Sequence, residues 1–155
     1  MSATGPRRPL VIVCEDGHEY HQRFTRFLGE ELEWLRVDDF TSAVGACARQ
    51  PLALLFDLDF GRLSPEKLID ESGQMAAKRT RDESRRLAQM QGILILRALR
   101  AAGVRVPALL CADLDDPARV RFLEQSLAPL AVVPSGEGLG EIAQRLRALR
   151  GRSSG

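Results

Sequence analysis

Short apolar runs recur along the chain, separated by longer amphipathic stretches. The runs at residues 10–14 (LVIVC) and 52–56 (LALLF) are continuous and aliphatic. Continuous runs of this length are typical of strands buried on both faces of a parallel sheet. We therefore predict five strands, the other three being residues 34–37, 106–112 and 130–133.

Stretches with helical periodicity follow each predicted strand. After the first strand, one apolar helix face is formed by Tyr20, Phe24, Phe27, Leu28 and Leu32. The other predicted helices include residues 42–50, 92–102, 115–125 and 139–149. Strands that alternate with helices indicate an α/β fold, with a five-stranded parallel sheet covered by helices on both faces. Residues 9–149 are predicted to form this doubly wound (βα)5 domain.

The segment between the third strand and the third helix is much longer than a usual connection in such a fold. We interpret residues 61–91 as an insertion in which 64–91 form a helical arm, broken near Gly73. Good helix formers favour a helix over 76–91. The alternative is a disordered loop rich in acidic and basic residues, and the sequence leaves 61–75 undecided.

An apolar stripe on the insertion suggests an interaction surface. Leu87, Met90 and Leu94 continue the apolar face of the following helix. An apolar stripe without a partner tends to be buried against another chain. We therefore expect a protein partner or a second copy of the chain to bind either this arm or the face formed by the fourth helix, the fifth strand and the last helix.

Composition and charge argue against two classes of function, nucleic-acid binding and membrane insertion. The chain has 155 residues, of which 45% are hydrophobic, and a formal net charge of +1. This charge argues against a dedicated nucleic-acid surface, and no apolar run is long enough to cross a membrane. We expect a cytoplasmic protein with disordered ends at residues 1–8 and 150–155. Reduced thiols are expected at Cys14, Cys47 and Cys111, which lack metal-site spacing.

Acidic residues follow several predicted strands. The carboxyl ends of parallel strands form the edge where α/β proteins bind their ligands. Asp115 and Asp116 suit a helix N-terminus, whereas an acid that ends a central strand calls for another explanation. The acids that follow the first, third and fourth strands are Glu15, Asp16, Asp57, Asp59, Asp113, Asp115 and Asp116.

Four segments of this pattern resemble the receiver domain of bacterial response regulators. VIVCED ends in an acid pair, and QPLALLFD ends the third strand in Asp57; VRVPALLCAD and LAVVPS resemble the family's fourth and fifth strands. The resemblance implies a flavodoxin-like fold, with Asp57 at the phosphoacceptor position. It also implies a weak Mg²⁺ site at Glu15, Asp16, Asp57 and Asp59, since carboxylate oxygens suit this ion.

The sequence departs from the family at three positions. The hydroxyl residue is replaced by Ala112, the lysine by Val133 and the aromatic residue by Leu130, and no lysine follows Lys78. These are the residues that sense and transmit phosphate in the family. The resemblance is therefore to a pseudo-receiver, which implies a stand-alone signalling adapter that is not an enzyme, needs no cofactor beyond weak Mg²⁺ and acts by protein–protein interaction.

Two alternatives stay open. The first is a conventional receiver that is phosphorylated on Asp57. The second is a phosphatase of the haloacid dehalogenase type, because LLFDLDFGRL resembles that family's first motif, in which Asp57 would be the nucleophile and Asp59 the acid/base. That family also needs a lysine, and the chain has only Lys67 and Lys78, both within the insertion.

Overall fold

The computed structural model describes residues 7–75, 78–135 and 138–153 and shows one five-stranded sheet. All neighbouring strands are parallel, and their order across the sheet is β2-β1-β3-β4-β5. The predicted parallel α/β fold is therefore confirmed. The strands are β1 (Leu10–Cys14), β2 (Glu33–Val37), β3 (Ala53–Asp57), β4 (Ala108–Cys111) and β5 (Leu130–Val133).

Helices cover both faces of this sheet. Asp116 caps α5, as the sequence predicts, by accepting a hydrogen bond from the Ala118 amide at 3.0 Å. Pro117 occupies the first turn of this helix. The helices are α1 (Glu19–Leu28), α2 (Phe40–Cys47), α3 (Arg81–Gln89), α4 (Gln91–Ala101), α5 (Pro117–Ser126) and α6 (Gly138–Ser153). In the described part of the chain, no helix is both long and apolar enough to span a bilayer.

The core has two layers because successive side chains of a strand point to opposite faces. Val11 and Val13 pack on one face with residues of α1 and α6. Ile12 and Cys14 pack on the other face with residues of α2, α3, α4 and α5. This two-sided burial explains why the central strands read as continuous apolar runs.

The insertion is built from short elements and one helix. A 3₁₀ turn spans Pro65–Lys67, and Ile69 forms an isolated bridge with Met75. The helix begins only at Arg81, after Thr80 and Glu83 form a reciprocal capping box. The predicted helix over 76–91 is thus shorter in the structure, and residues 76–77 lie outside the described residues.

The prediction of an interaction stripe on the arm is wrong. Leu87 and Leu94 are buried in the protein's own core, and Met90 packs against that core. Leu68 and Ile69 from the insertion are buried there too. Helical periodicity correctly indicates an apolar face, but the sheet and the rest of the insertion cover it.

The two ends differ from the expected disordered tails where the structure describes them. The last helix continues to Ser153, so residues 150–153 are helical rather than a disordered tail. At the other end, the guanidinium of Arg8 donates a hydrogen bond to the carbonyl of Gly29. Residues 1–6 and 154–155 lie outside the described residues.

Candidate functional site

An acidic cleft lies at the carboxyl edge of the sheet. Asp57 is the last residue of β3, and Asp16 lies two residues beyond the end of β1. These two residues line a shallow cleft together with Asp59, Gly61 and Arg62. The structure therefore brings together three of the four acids that the sequence nominates for a metal site.

Glu15 is separated from this cleft although it is next to Asp16 in the sequence. Its side chain is turned into the protein, and the residue is 1% exposed. Its two carboxylate oxygens accept hydrogen bonds from the amides of Tyr20 (3.1 Å) and His21 (2.8 Å). Glu15 thus satisfies two free N–H groups in the first turn of α1, where a negative charge also complements the helix dipole.

Arg62 is the basic residue of the cleft, and the sequence analysis missed it. Its backbone N–H donates to Asp16 Oδ2 at 2.6 Å, and its Nη2 lies 3.3 Å from Asp16 Oδ1. The same guanidinium makes two bonds of 2.9 Å to the carboxylate of Glu19. No sequence signal links Arg62 to these acids, which are more than 40 positions away.

The carboxyl group of Asp57 is half-buried and easily protonated. Burial raises its pKa to about 6, and the charges of Asp16, Glu15 and Asp59 act in the same direction. A hydrogen bond that Oδ1 accepts from the Leu58 amide at 2.9 Å partly opposes this shift. The surroundings of Asp57 therefore disfavour its negatively charged form.

The three positions that differ from the receiver pattern lie along β4 and β5. Ala112 follows β4 directly and is buried. Val133 ends β5, and its fully buried side chain packs in the layer beneath α1 and α6. Leu130 begins β5 and packs against the opposite layer. The side chains at these positions supply the carboxyl edge with neither a charge nor a hydroxyl group.

The carboxylates do not fit the divalent cation that the fold family implies. Mg²⁺ needs several oxygen ligands in near-octahedral geometry. Within residues 7–75, 78–135 and 138–153, no three His, Cys, Asp or Glu side chains are grouped so that they could hold a metal ion. Glu15 is bound to α1, and Asp16 is bound to Arg62.

Asp113 and the three cysteines lie outside the cleft. Asp113 accepts a hydrogen bond from the Ser135 amide at 3.0 Å, which links the loops after β4 and β5. The cysteines are free thiols; Cys14 and Cys111 are buried, and Cys47 is partly exposed. Burial raises the pKa of Cys111 to about 12, as expected for an unreactive core thiol.

Comparisons with known proteins agree with this architecture. No family model and no curated protein matches the sequence. Among solved structures, the chain is similar to the receiver domain of the Francisella response regulator 1452, with a TM-score of 0.65, 15% identity and coverage of 94% of this chain and 99% of that one. The BeF3-activated N-terminal receiver domain of Klebsiella pneumoniae RstA gives a TM-score of 0.59 and 18% identity, covering 91% of this chain and 98% of that one.

A third similar structure comes from a histidine kinase. It is the signal receiver domain of a signal transduction histidine kinase from Syntrophus aciditrophicus, with a TM-score of 0.57, 15% identity and coverage of 91% of this chain and 89% of that one. Such low identities show the fold alone. The chain therefore has the fold of a response-regulator receiver domain.

Proposed function

We propose that this protein is a bacterial signalling adapter, a pseudo-receiver that works in the cytoplasm by binding another protein and is not switched by phosphorylation. The observation that carries the proposal is the combination of an acid at the end of β3 with apolar residues at the switch positions. Asp57 is retained, whereas Ala112 and Val133 are both buried apolar residues.

The chemistry of phosphoryl transfer supports this proposal. A phosphoryl group attached to a carboxylate adds negative charge to a cleft that already contains Asp16 and Asp59. Stable binding of that charge calls for a cation and a hydroxyl group on the neighbouring strands. Ala112 and Val133 offer neither group, and the guanidinium of Arg62 is already bonded to Asp16 and Glu19. A phosphoryl group on Asp57 would therefore lack the contacts that drive a conformational change.

A phosphodonor experiment tests the absence of switching. The protein and an Asp57→Asn control are incubated with a small phosphodonor and Mg²⁺, then examined by intact mass and by an amide spectrum. We expect no increase in the mass of either protein after incubation, and no change in the amide spectrum of either. A phospho-adduct confined to the wild type, with shifts beyond the cleft, would restore the conventional receiver.

We assign the partner contact to the face formed by α5, β5 and α6. The apolar stripe of the arm is buried, which favours this face over the arm. Phe122 on α5 is 63% exposed, which is unusual for a large aromatic side chain. Aromatic residues often supply a large share of the binding energy at protein interfaces.

A matched pair of aromatic variants tests this face. Phe27 on α1 is 58% exposed and lies on a different helix, so it controls for the loss of any exposed phenyl ring. We expect Phe122→Ser to lose the partner in pull-downs analysed by mass spectrometry, while Phe27→Ser retains it. Equal retention by both variants would contradict the assignment of this face.

A further inference from the structure

We propose that Arg62 is an intramolecular counter-ion that takes the place of a divalent cation in the acidic cleft and keeps such ions out. The inference concerns how this chain neutralises its own carboxylates. It does not depend on the adapter role, because a protein of any function with this cleft must offset the same charges.

The first reason is that Arg62 donates hydrogen bonds to both carboxylate oxygens of Asp16. Its backbone amide bonds one oxygen at 2.6 Å and its guanidinium contacts the other at 3.3 Å. The Asp16 side chain is only 4% exposed, whereas that of Arg62 is 60% exposed. The arginine covers the carboxylate from the solvent side, which is the side from which an ion would approach.

The second reason is that the neighbouring loop leaves room for the guanidinium. A Cβ atom on Gly17 would overlap Nη2 of Arg62 and would lie 2.6 Å from its Cζ atom. The absence of a side chain on Gly17 thus leaves the guanidinium room to lie against the backbone in this position. Glu19 then holds the outer edge of the guanidinium through two bonds of 2.9 Å, and these bonds lower the pKa of Glu19 to about 2.

The third reason is that few ligands remain for a metal ion. Glu15 is committed to the α1 amides, so only Asp57 and Asp59 have carboxylates that neither Arg62 nor α1 occupies. A cation would have to displace charge-assisted bonds to reach Asp16. Without Arg62, three carboxylates would face one another across the cleft, and mutual repulsion would favour a bound cation.

A manganese titration tests this inference on the full chain. Mn²⁺ is added to wild type, to Arg62→Gln and to a matched control, Arg86→Gln, while amide signals near the cleft are followed for paramagnetic broadening. Arg86 is a suitable control because its side chain is 56% exposed and pairs with one acid, Glu71, away from the cleft. We expect Arg62→Gln to bind Mn²⁺ about tenfold or more tightly than wild type and Arg86→Gln to match wild type.

A double variant locates the ion. Adding Asp16→Asn to Arg62→Gln should remove the gained binding, because it takes away the carboxylate that Arg62 covers. Circular dichroism checks the fold of each variant, and Arg62→Ala replaces Arg62→Gln should the latter misfold. Three results would overturn the inference: equal binding by wild type and Arg62→Gln, no binding by either, or gained binding that survives the loss of Asp16.

Discussion

Gly92 lies directly against the backbone of Asp57, where the first turn of α4 meets the end of β3. A Cβ atom on Gly92 would overlap the Asp57 carbonyl oxygen and would lie 3.2 Å from the Cα atom of Leu58. The Gly92 amide donates a hydrogen bond of 3.1 Å to the Leu58 carbonyl. This close approach returns the chain to the end of β3 after the long insertion.

Replacing Gly92 by Ala should therefore destabilise the protein. The added methyl group must displace backbone, so we expect a loss of about 2–4 kcal/mol in the free energy of unfolding. Gly45, in α2, is the matched control, because a Cβ atom there meets nothing within 4 Å. Gly45→Ala should stabilise the helix by about 0.5–1 kcal/mol. Urea unfolding measures both; similar effects of the two changes would contradict the close packing at Gly92.

Replacing Asp57 by Asn should stabilise the protein at neutral pH. The pKa of Asp57 is about 6 when folded, against 3.8 for the free side chain, chiefly because of burial. A raised folded pKa means that the native state binds the proton more tightly, so wild type loses stability as pH rises through this range. The amide does not titrate, so the gain should be about 1–2 kcal/mol near pH 7.5, after allowance for partial exposure, and close to zero near pH 3.5.

Thermal melts across this pH range measure the Asp57 effect. Asp59→Asn is the control for removing one negative charge from the cleft, since Asp59 is the weakest of the three acids that raise the Asp57 pKa. Its stabilising effect should be smaller. A gain for Asp57→Asn that did not change with pH would show that the carboxylate is not disfavoured by the fold.

Gln91 should be essential for anchoring the insertion to the domain. Its fully buried amide accepts a bond from the Ile69 N–H at 2.9 Å and donates one to the Ile69 carbonyl at 3.1 Å. Gln91→Ala leaves both backbone groups without this partner, so we expect a loss of about 2–4 kcal/mol. Gln89→Ala, at an exposed position in α3, should change stability by less than about 0.5 kcal/mol.

Hydrogen exchange at the Ile69 amide tests the Gln91 prediction locally. The Ile69 amide should exchange faster in Gln91→Ala than the overall loss of stability accounts for, because its acceptor is gone. Unchanged exchange at Ile69 would contradict the anchoring role.

Deleting residues 64–88 should unfold the domain, because Leu68, Ile69 and Leu87 belong to its core.

Arg100 should be replaceable by neither lysine nor an apolar residue. Its buried guanidinium donates to the carbonyls of Leu127, Val104, Val106 and Pro129 at 2.8–3.0 Å. A single ammonium group cannot reproduce this planar set of donors.

We expect Arg100→Lys to cost about 2–3 kcal/mol, measured by urea unfolding. Arg97→Lys, at an exposed position in the same helix, should be close to neutral. Equal effects of the two variants would show that the four carbonyl contacts contribute little.

The sequence alone was sufficient to predict the parallel sheet and to place Asp57 at the end of its third strand. Strand signals are local: β1 and β5 match the predicted runs, and the other strands differ from theirs by no more than two residues at either end. Two-sided burial makes such runs apolar throughout, so the pattern identifies both the strands and the fold class. The missing lysine could also be read directly, because no lysine follows Lys78.

Only the tertiary structure shows which apolar side chains are buried and which carboxylates are already paired. Periodicity marked the stripe of Leu87 and Leu94 as apolar but could not show that the domain itself covers it. Glu15 and Asp16 are adjacent in sequence, yet one caps α1 and the other binds Arg62, 46 positions away. Such pairings depend on how the loops are arranged in space, and this arrangement cannot be predicted from a local pattern of residues.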